Sequence, residues 1–461
     1  MRKYLIAVVP ALALLAVSTP AAQAGTGGEP TPAGVVSATP PTTLPHFPAS
    51  TPQIEEVRQI VQCGQTMYAV GSFNTIVQGN TTYTRNNIFS FSITSPYTVT
   101  SWAPNVVGPY GTTQNGSDVV DTIAFVNGDC THAYIGGKFS SINGKAVKNI
   151  AEITTTGTTG SVVTGFRSNA SGTIQTIVAA GSHLLVGGYF TSINGDSTDP
   201  YMVSLNPTTG QSDGFLHLNI SGNYQYPGVS SNPTRVFNQQ LSHSGTMDLV
   251  EGDFTSVGGQ ARQQAFIHDV GGASGTVNGW NTREFNTNCH VSEPFYVRDG
   301  AWSPNDSNVY FGTTGFHPND QSSPPWTGPC DVALAFPSSP TAVSALWHNY
   351  TGCDSLYAAA ADSKAAYFAG HERWSMNQNG CNNMDISAYN AKGMEGVDPL
   401  NGALYLDPTG TNGLYSRDRG IGADDMLVTS AGLWIASDNF QQSQKCGGVS
   451  TAGLCFLPYG A

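Results

Sequence analysis

A short unit recurs along this chain, and repetition of that kind restricts a fold more tightly than any local propensity. Three stretches are near copies: Ala133-Tyr-Ile-Gly-Gly-Lys-Phe-Ser-Ser-Ile-Asn-Gly144, Leu184-Leu-Val-Gly-Gly-Tyr-Phe-Thr-Ser-Ile-Asn-Gly195 and Asp248-Leu-Val-Glu-Gly-Asp-Phe-Thr-Ser-Val-Gly-Gly259. A looser copy precedes them at Tyr68–Phe73, and Val309–Gly312, Ala366–Gly370 and Leu433–Phe440 follow. With Gly71, Gly137, Gly188, Gly252, Gly312, Gly370 and Ser437 taken as equivalent, successive units lie 51 to 67 residues apart.

Each unit reads as four short strands. In the third, Thr173–Ala179 is an apolar run (A), Leu184–Phe190 a second strand (B), Tyr201–Leu205 a third (C) and Phe215–Ile220 a fourth (D), with turn formers between them. The Gly in strand B suits a place where another backbone comes close. An aromatic recurs in strand D, at Trp102, Phe166, Phe215, Trp280 and Trp347. Five copies of one aromatic suit packing between units better than an array for stacking sugars. Seven such units predict an all-β fold, a seven-bladed β-propeller of four-stranded antiparallel blades, in which radial repetition buries both faces of every sheet. Composition agrees. Only 11% of residues are charged, too few for long solvated helices, and 53 Gly with 27 Pro supply turns.

The ends of the chain fit the same scheme. Arg2-Lys3, an apolar run from Leu5 to Val17 and Ala22-Gln23-Ala24 make residues 1–24 a signal peptide. The run is too short to span a bilayer, so no membrane insertion is expected. Residues 25–52 are rich in Pro, Thr and Gly and read as a tether. The last unit supplies only three strands before the chain ends, so part of Ser37–Ser50 is expected to add the fourth and close the ring. The propeller then occupies residues 53–461. The export signal predicts a secreted protein, extracellular or held by the cell wall, and a monomer is expected.

The strand and turn G-G-x-F-T-S-I-N-G, followed by an apolar strand and Asn206-Pro-Thr-Thr-Gly210, resembles the delta-60 repeat of secreted bacterial β-propeller proteins. The match is good at residues 133–215 and 248–267 and fades after residue 290. The resemblance implies a propeller and carries over no catalytic residue.

Eight cysteines in an exported chain predict four disulfides. In a propeller, the D-to-A connections and B-to-C loops emerge on one face, and the A-to-B and C-to-D turns on the other. Cys289 and Cys330 then lie on the first face in the fifth unit, as do Cys353 and Cys381 in the sixth. Cys446 and Cys455 belong to the seventh, so sequential pairing is expected for all three. Cys63 and Cys130 fall at A-to-B turns of adjacent units and suit a staple on the opposite face. No tight spacing such as CxxC suggests a metal. Three disulfides thus coincide with enlarged B-to-C loops, which marks the loop face of the fifth to seventh units as a binding surface.

Charge excludes some partners. Removing Arg2 and Lys3 leaves 16 basic against 31 acidic residues, near −15. No Lys/Arg cluster interleaved with aromatics stands out, so nucleic acid is not expected as a partner. Among the sparse ionisable groups, His371-Glu-Arg373 followed by Trp374 begins the sixth B-to-C loop: His371 suits a base, Glu372 an acid and Arg373 an anion anchor, although internal pairing explains the same residues. Arg417, Arg419, Asp424 and Asp425 lie on the same face. Aligning the A strands places Arg58, Asp121, Gln175, Arg235, Asp299, Asp354 and Asp425 at equivalent points around the channel, either as bonds between blades or as a polar site that could hold a cation. No cofactor is expected. The leading expectation is a non-catalytic protein binding an extracellular glycan, peptide or protein. The alternatives are a polysaccharide hydrolase or lyase using His371, Glu372, Asp354, Asp425 and Arg419, and a structural surface protein.

Overall fold

The computed structural model describes residues 23–24, 27–48, 54–108, 119–224, 233–286, 289, 295–316, 328–415, 422–439, 445–446 and 449–460. Among these, seven strands each begin a sheet of consecutive antiparallel strands: Glu56–Cys63, Val120–Ala124, Thr173–Ala180, Arg235–Leu241, Val297–Trp302, Leu356–Ala361 and Ala423–Thr429; in two of the sheets a segment from before residue 31 adds a parallel edge strand. Each of these inner strands packs beside the inner strand of the next sheet, and the seventh packs beside the first. The apolar clusters lie between neighbouring sheets, so both faces of each sheet are covered, as in a β-propeller.

The register of the inner pair is irregular at the same place in every sheet. Val57 pairs with Gly71 and Gln59 with Val70, leaving Arg58 as an extra, bulged residue. The same skip isolates Asp121, Gln175, Phe237, Arg298, Tyr357 and Asp424. A bulge kinks its strand and turns one side chain away from the pleat. It also brings a carbonyl against the partner strand, which explains the repeated Gly. A Cβ at Gly71 would lie 2.0 Å from the Glu56 carbonyl oxygen, and one at Gly188 would lie 2.3 Å from that of Thr173. In the fifth sheet the residue in register is Thr313, facing Val297, so Gly312 is one residue away from the equivalent position. The Thr313 hydroxyl is occupied there, donating to the Pro329 carbonyl at 2.6 Å.

The I-N-G ending of the repeat has its own cause. Asn143 and Gly144 both take positive φ, 51° and 77°, as do Asn194 and Gly195, and this is the twist a two-residue hairpin needs. The hairpin of Ser141–Ile142 with Lys145–Ala146 pairs with Val106–Val107, tying a B-to-C loop to the preceding D-to-A connection.

Fourth strands are shorter than the sequence predicts. In the first three sheets they are single bridges, Phe91 to Val99, Ile153 to Val162 and Leu205 to Ser212, and Phe215–Ile220 forms no strand. The aromatics nearby are nonetheless buried: Trp102, Trp280 and Trp347 each donate an indole N–H to a carbonyl of the following sheet, at Thr154, Pro337 and Pro399. None presents a face to a sugar.

The described part of residues 25–52 is bound along sheet edges, where a Pro-rich chain fits because it needs few ladder donors. Gly28–Pro30 runs parallel to Leu404–Leu406, Val36 bridges Tyr459 antiparallel, and the Phe47 amide donates to the Ala452 carbonyl at 2.9 Å. Val36 and Phe47 are each 1% exposed, so the segment contributes to the core. Four disulfides join Cys63 to Cys130, Cys289 to Cys330, Cys353 to Cys381 and Cys446 to Cys455, which fits an oxidising environment.

Gly188→Ala is expected to destabilise the protein by about 3 kcal/mol, because its clash is with backbone and cannot be relieved by a rotamer change. Denaturant unfolding checks this, and an unchanged midpoint would show that the bulge carbonyl does not require glycine.

Candidate functional site

The seven bulged residues point towards one axis. All of them line a polar cavity of about 80 Å³, together with Gln59, Asn238, Asp299 and Asp425, each of which follows a bulge directly. These following residues join neighbouring sheets. Asp425 accepts the Ile60 amide at 2.9 Å, Gln59 that of Ile123 at 2.7 Å, Thr122 that of Ile177 at 3.1 Å and Asp299 that of Ala359 at 2.7 Å. Asn238 donates to the second oxygen of Asp299. Each such bond satisfies an inner-strand N–H that faces the axis instead of a ladder partner.

Burial shapes the electrostatics of this layer. Desolvation, reinforced by the Asp425 charge, pushes Asp299 up to about 8 against the pull of its amide donors. Desolvation likewise pushes Asp425 up to about 6. In the bulge layer, Arg58 pairs with Asp424 at 3.0 Å and with Glu56 at 2.9 Å. Arg298 is held differently. Its guanidinium lies 4.9 Å from the Phe237 ring centre and 5.7 Å from that of Tyr357, and its buried Nε has no hydrogen-bond partner. Burial, with the Arg58 charge nearby, lowers its pKa. Arg235 covers the other side of Phe237 at 4.6 Å and reaches Tyr296 at 5.7 Å, so cations and rings alternate across the fourth to sixth sheets.

Arg298 and Tyr357 also line a second cavity, of about 340 Å³, shared with Tyr296, Thr314, Phe316 and Cys353 of the Cys353–Cys381 bridge. This pocket opens on the braced loop face. Further round that face, Met384 and Ile386 of the sixth B-to-C loop are 48% and 102% exposed.

The structure sorts the residues singled out from sequence. Arg58 and Asp121 are bulged residues, as is Gln175, and Asp299 and Asp425 stand one place further along. Arg235 and Asp354 leave the ring, because the bulges of their sheets fall at Phe237 and Tyr357. Asp354 pairs instead with Arg373 at 2.6 Å, and the Arg373 guanidinium lies 4.1 Å from the Trp374 ring centre. His371 meets Tyr357 edge to face, with its Nδ1 3.4 Å from the phenol oxygen, and Glu372 is wholly buried. Neither lines the cavity that Asp425 lines. Arg417 and Arg419 lie outside the described residues. Among those described, no three His, Cys, Asp or Glu side chains group as a metal site.

Sequence reasoning missed Arg298, Phe237 and Tyr357, because the bulge position is a register property and two of the three are uncharged. It also missed a larger groove of about 970 Å³ between the second and third sheets.

No family model matches the chain, and no curated protein matches it. Among solved structures, it is similar to the WD40 β-propeller domain of Doa1, at 10% identity over 90% of this chain and 95% of that one, with a TM-score of 0.44.

Asp299 titrates in a way that links the site to stability. Its folded pKa lies above the value of about 3.9 expected when unfolded, so its contribution is fully present at acid pH and is lost as pH rises towards 8. The melting temperature is therefore expected to fall between pH 5 and 9 less steeply in Asp299→Asn than in the native protein, as read by thermal unfolding across about five pH values. Parallel curves would assign the pH dependence to other groups.

Proposed function

We propose that this chain is an exported, seven-bladed β-propeller, closed by its N-terminal segment, that binds an extracellular glycan, peptide or protein through the loop face of its fifth to seventh blades without doing chemistry. The observation that carries the reading is the pocket beside Arg298. It opens on the face where three disulfides restrain the loops, and it holds a guanidinium that has aromatic neighbours but no carboxylate within ion-pair distance among the described residues. A concave site with a few convergent polar groups and rigid walls is what recognition needs.

Ring closure is supported by the packing of the first inner strand against the seventh and by the Val36–Tyr459 bridge. Export is supported by the leader in the sequence and by four disulfides. The catalytic alternative has less support, since His371, Glu372 and Asp425 do not converge on one cavity.

Arrays of glycans and of extracellular proteins test the reading. The native chain is expected to bind at least one ligand. A Met384→Glu, Ile386→Glu double variant should lose it, and Leu400→Glu, on a C-to-D turn of the opposite face, should keep it. Equal binding by all three chains would remove this face from the site, and an empty array for the native chain would overturn the binding reading itself.

A further inference from the structure

A second site lies away from the channel. Its groove, of about 970 Å³, runs between the hairpin Ser141–Ala146 of the second sheet and the start of the third, and Lys138, Lys145, Lys148 and Arg167 all line it. No Asp or Glu does. That combination is notable in a chain of net charge −13, where 18 basic residues face 31 acidic ones. The groove therefore opposes the overall field and concentrates positive potential where the rest of the molecule repels anions.

The cations are available. Lys145, Lys148 and Arg167 are exposed and form no ion pair with a carboxylate among the described residues, and the Arg167 Nε reaches only the Thr164 carbonyl, at 3.5 Å. Their positions follow from the fold. The positive-φ turn at Asn143-Gly144 makes the hairpin that projects Lys145, and Lys148 follows where the chain re-enters the sheet. Arg167 comes from the D-to-A connection on the other wall. At one end stands Tyr189, 46% exposed, an aromatic whose ring is not taken into the core. Ser140, Thr164, Asn169 and Ser171 add short hydroxyl and amide groups along the walls.

We propose that this groove binds an acidic polysaccharide, with Lys145, Lys148 and Arg167 meeting carboxylate or sulfate groups along the chain and Tyr189 stacking on one sugar ring. A groove of about 970 Å³ has room for several sugar residues, far more than a single small anion fills, and so suits a polymer. An exposed ring beside hydroxyl and amide groups suits a sugar, whose two faces differ in polarity, more than it suits an acidic peptide or a lipid surface. The site is independent of the pocket beside Arg298, and its failure would leave that reading untouched.

The test is binding of polygalacturonate at low salt, followed by isothermal titration, with dextran as the neutral polymer, polyglutamate as the acidic peptide and phosphatidylglycerol vesicles as the lipid surface. Polygalacturonate is expected to bind and dextran not to. A Lys145→Glu, Lys148→Glu variant should weaken binding about tenfold or more, and added salt should weaken it further. Tyr189→Ala should weaken polygalacturonate binding several-fold and leave the melting temperature unchanged. No binding by the native chain, equal binding by the double Glu variant, indifference to Tyr189→Ala, or tighter binding of polyglutamate or vesicles would each overturn the proposal.

Discussion

One extra residue in each inner strand organises this molecule. The bulge forces a carbonyl against the neighbouring strand, and that strand must then present glycine, as at Gly71, Gly137, Gly188, Gly252 and Gly370, or a short hydroxyl residue, as at Thr313 and Ser437. The same bulge turns a side chain out of the space between sheets and towards the axis. Packing between sheets therefore proceeds with apolar residues on either side, while the seven bulged positions are released from the core and free to differ. Arg58, Asp121, Gln175, Phe237, Arg298, Tyr357 and Asp424 share a backbone position and almost no chemistry.

The residue after the bulge does the opposite work. Gln59, Thr122, Asp299 and Asp425 each accept an amide of the next inner strand, so the sheets are joined by directional bonds as well as by apolar contact. Burying carboxylates in that role is costly, and the raised pKa values of Asp299 and Asp425 record the cost. Charge is sparse in this chain, and the structure accounts for where it goes. Some is spent between sheets, some in pairs such as Arg373 with Asp354, and two places hold cations that form no ion pair among the described residues: Arg298, clamped between rings, and Lys145, Lys148 and Arg167 in the groove beside Tyr189.

Part of the architecture was legible in the sequence, because recurring copies of one unit show an all-β chain, the order of the first three strands and the Gly position, whereas the fourth strands reduce to single bridges in the first three sheets. The N-G turn was legible too, since two residues with positive φ leave few choices. Other features were not. The exact partner of a residue depends on where a strand skips, so Arg235 and Asp354 aligned with the ring by sequence while Phe237 and Tyr357 hold its positions in space. The loop His371–Trp374 looked reactive because ionisable residues are rare, yet Arg373 is paired with Asp354 and Glu372 is buried. The groove is not legible in the sequence because its parts are separated along the chain: Lys138, Lys145 and Lys148 are near one another, but Arg167 of the connection and Tyr189 of the third sheet join them only once the sheets are packed.

The central claim is that side chains following the bulges hold the inner strands together. Native-state amide hydrogen exchange tests it most directly. The amides of Ile60, Ile123, Ile177 and Ala359 face the axis and have side-chain acceptors from the neighbouring sheet. The account predicts that all four exchange only through global unfolding, as slowly as the ladder amides of the strand Gly432–Ser437 and its counterparts in the other sheets. Exchange of these four at the rate of exposed loop amides, with the ladders still protected, would contradict it.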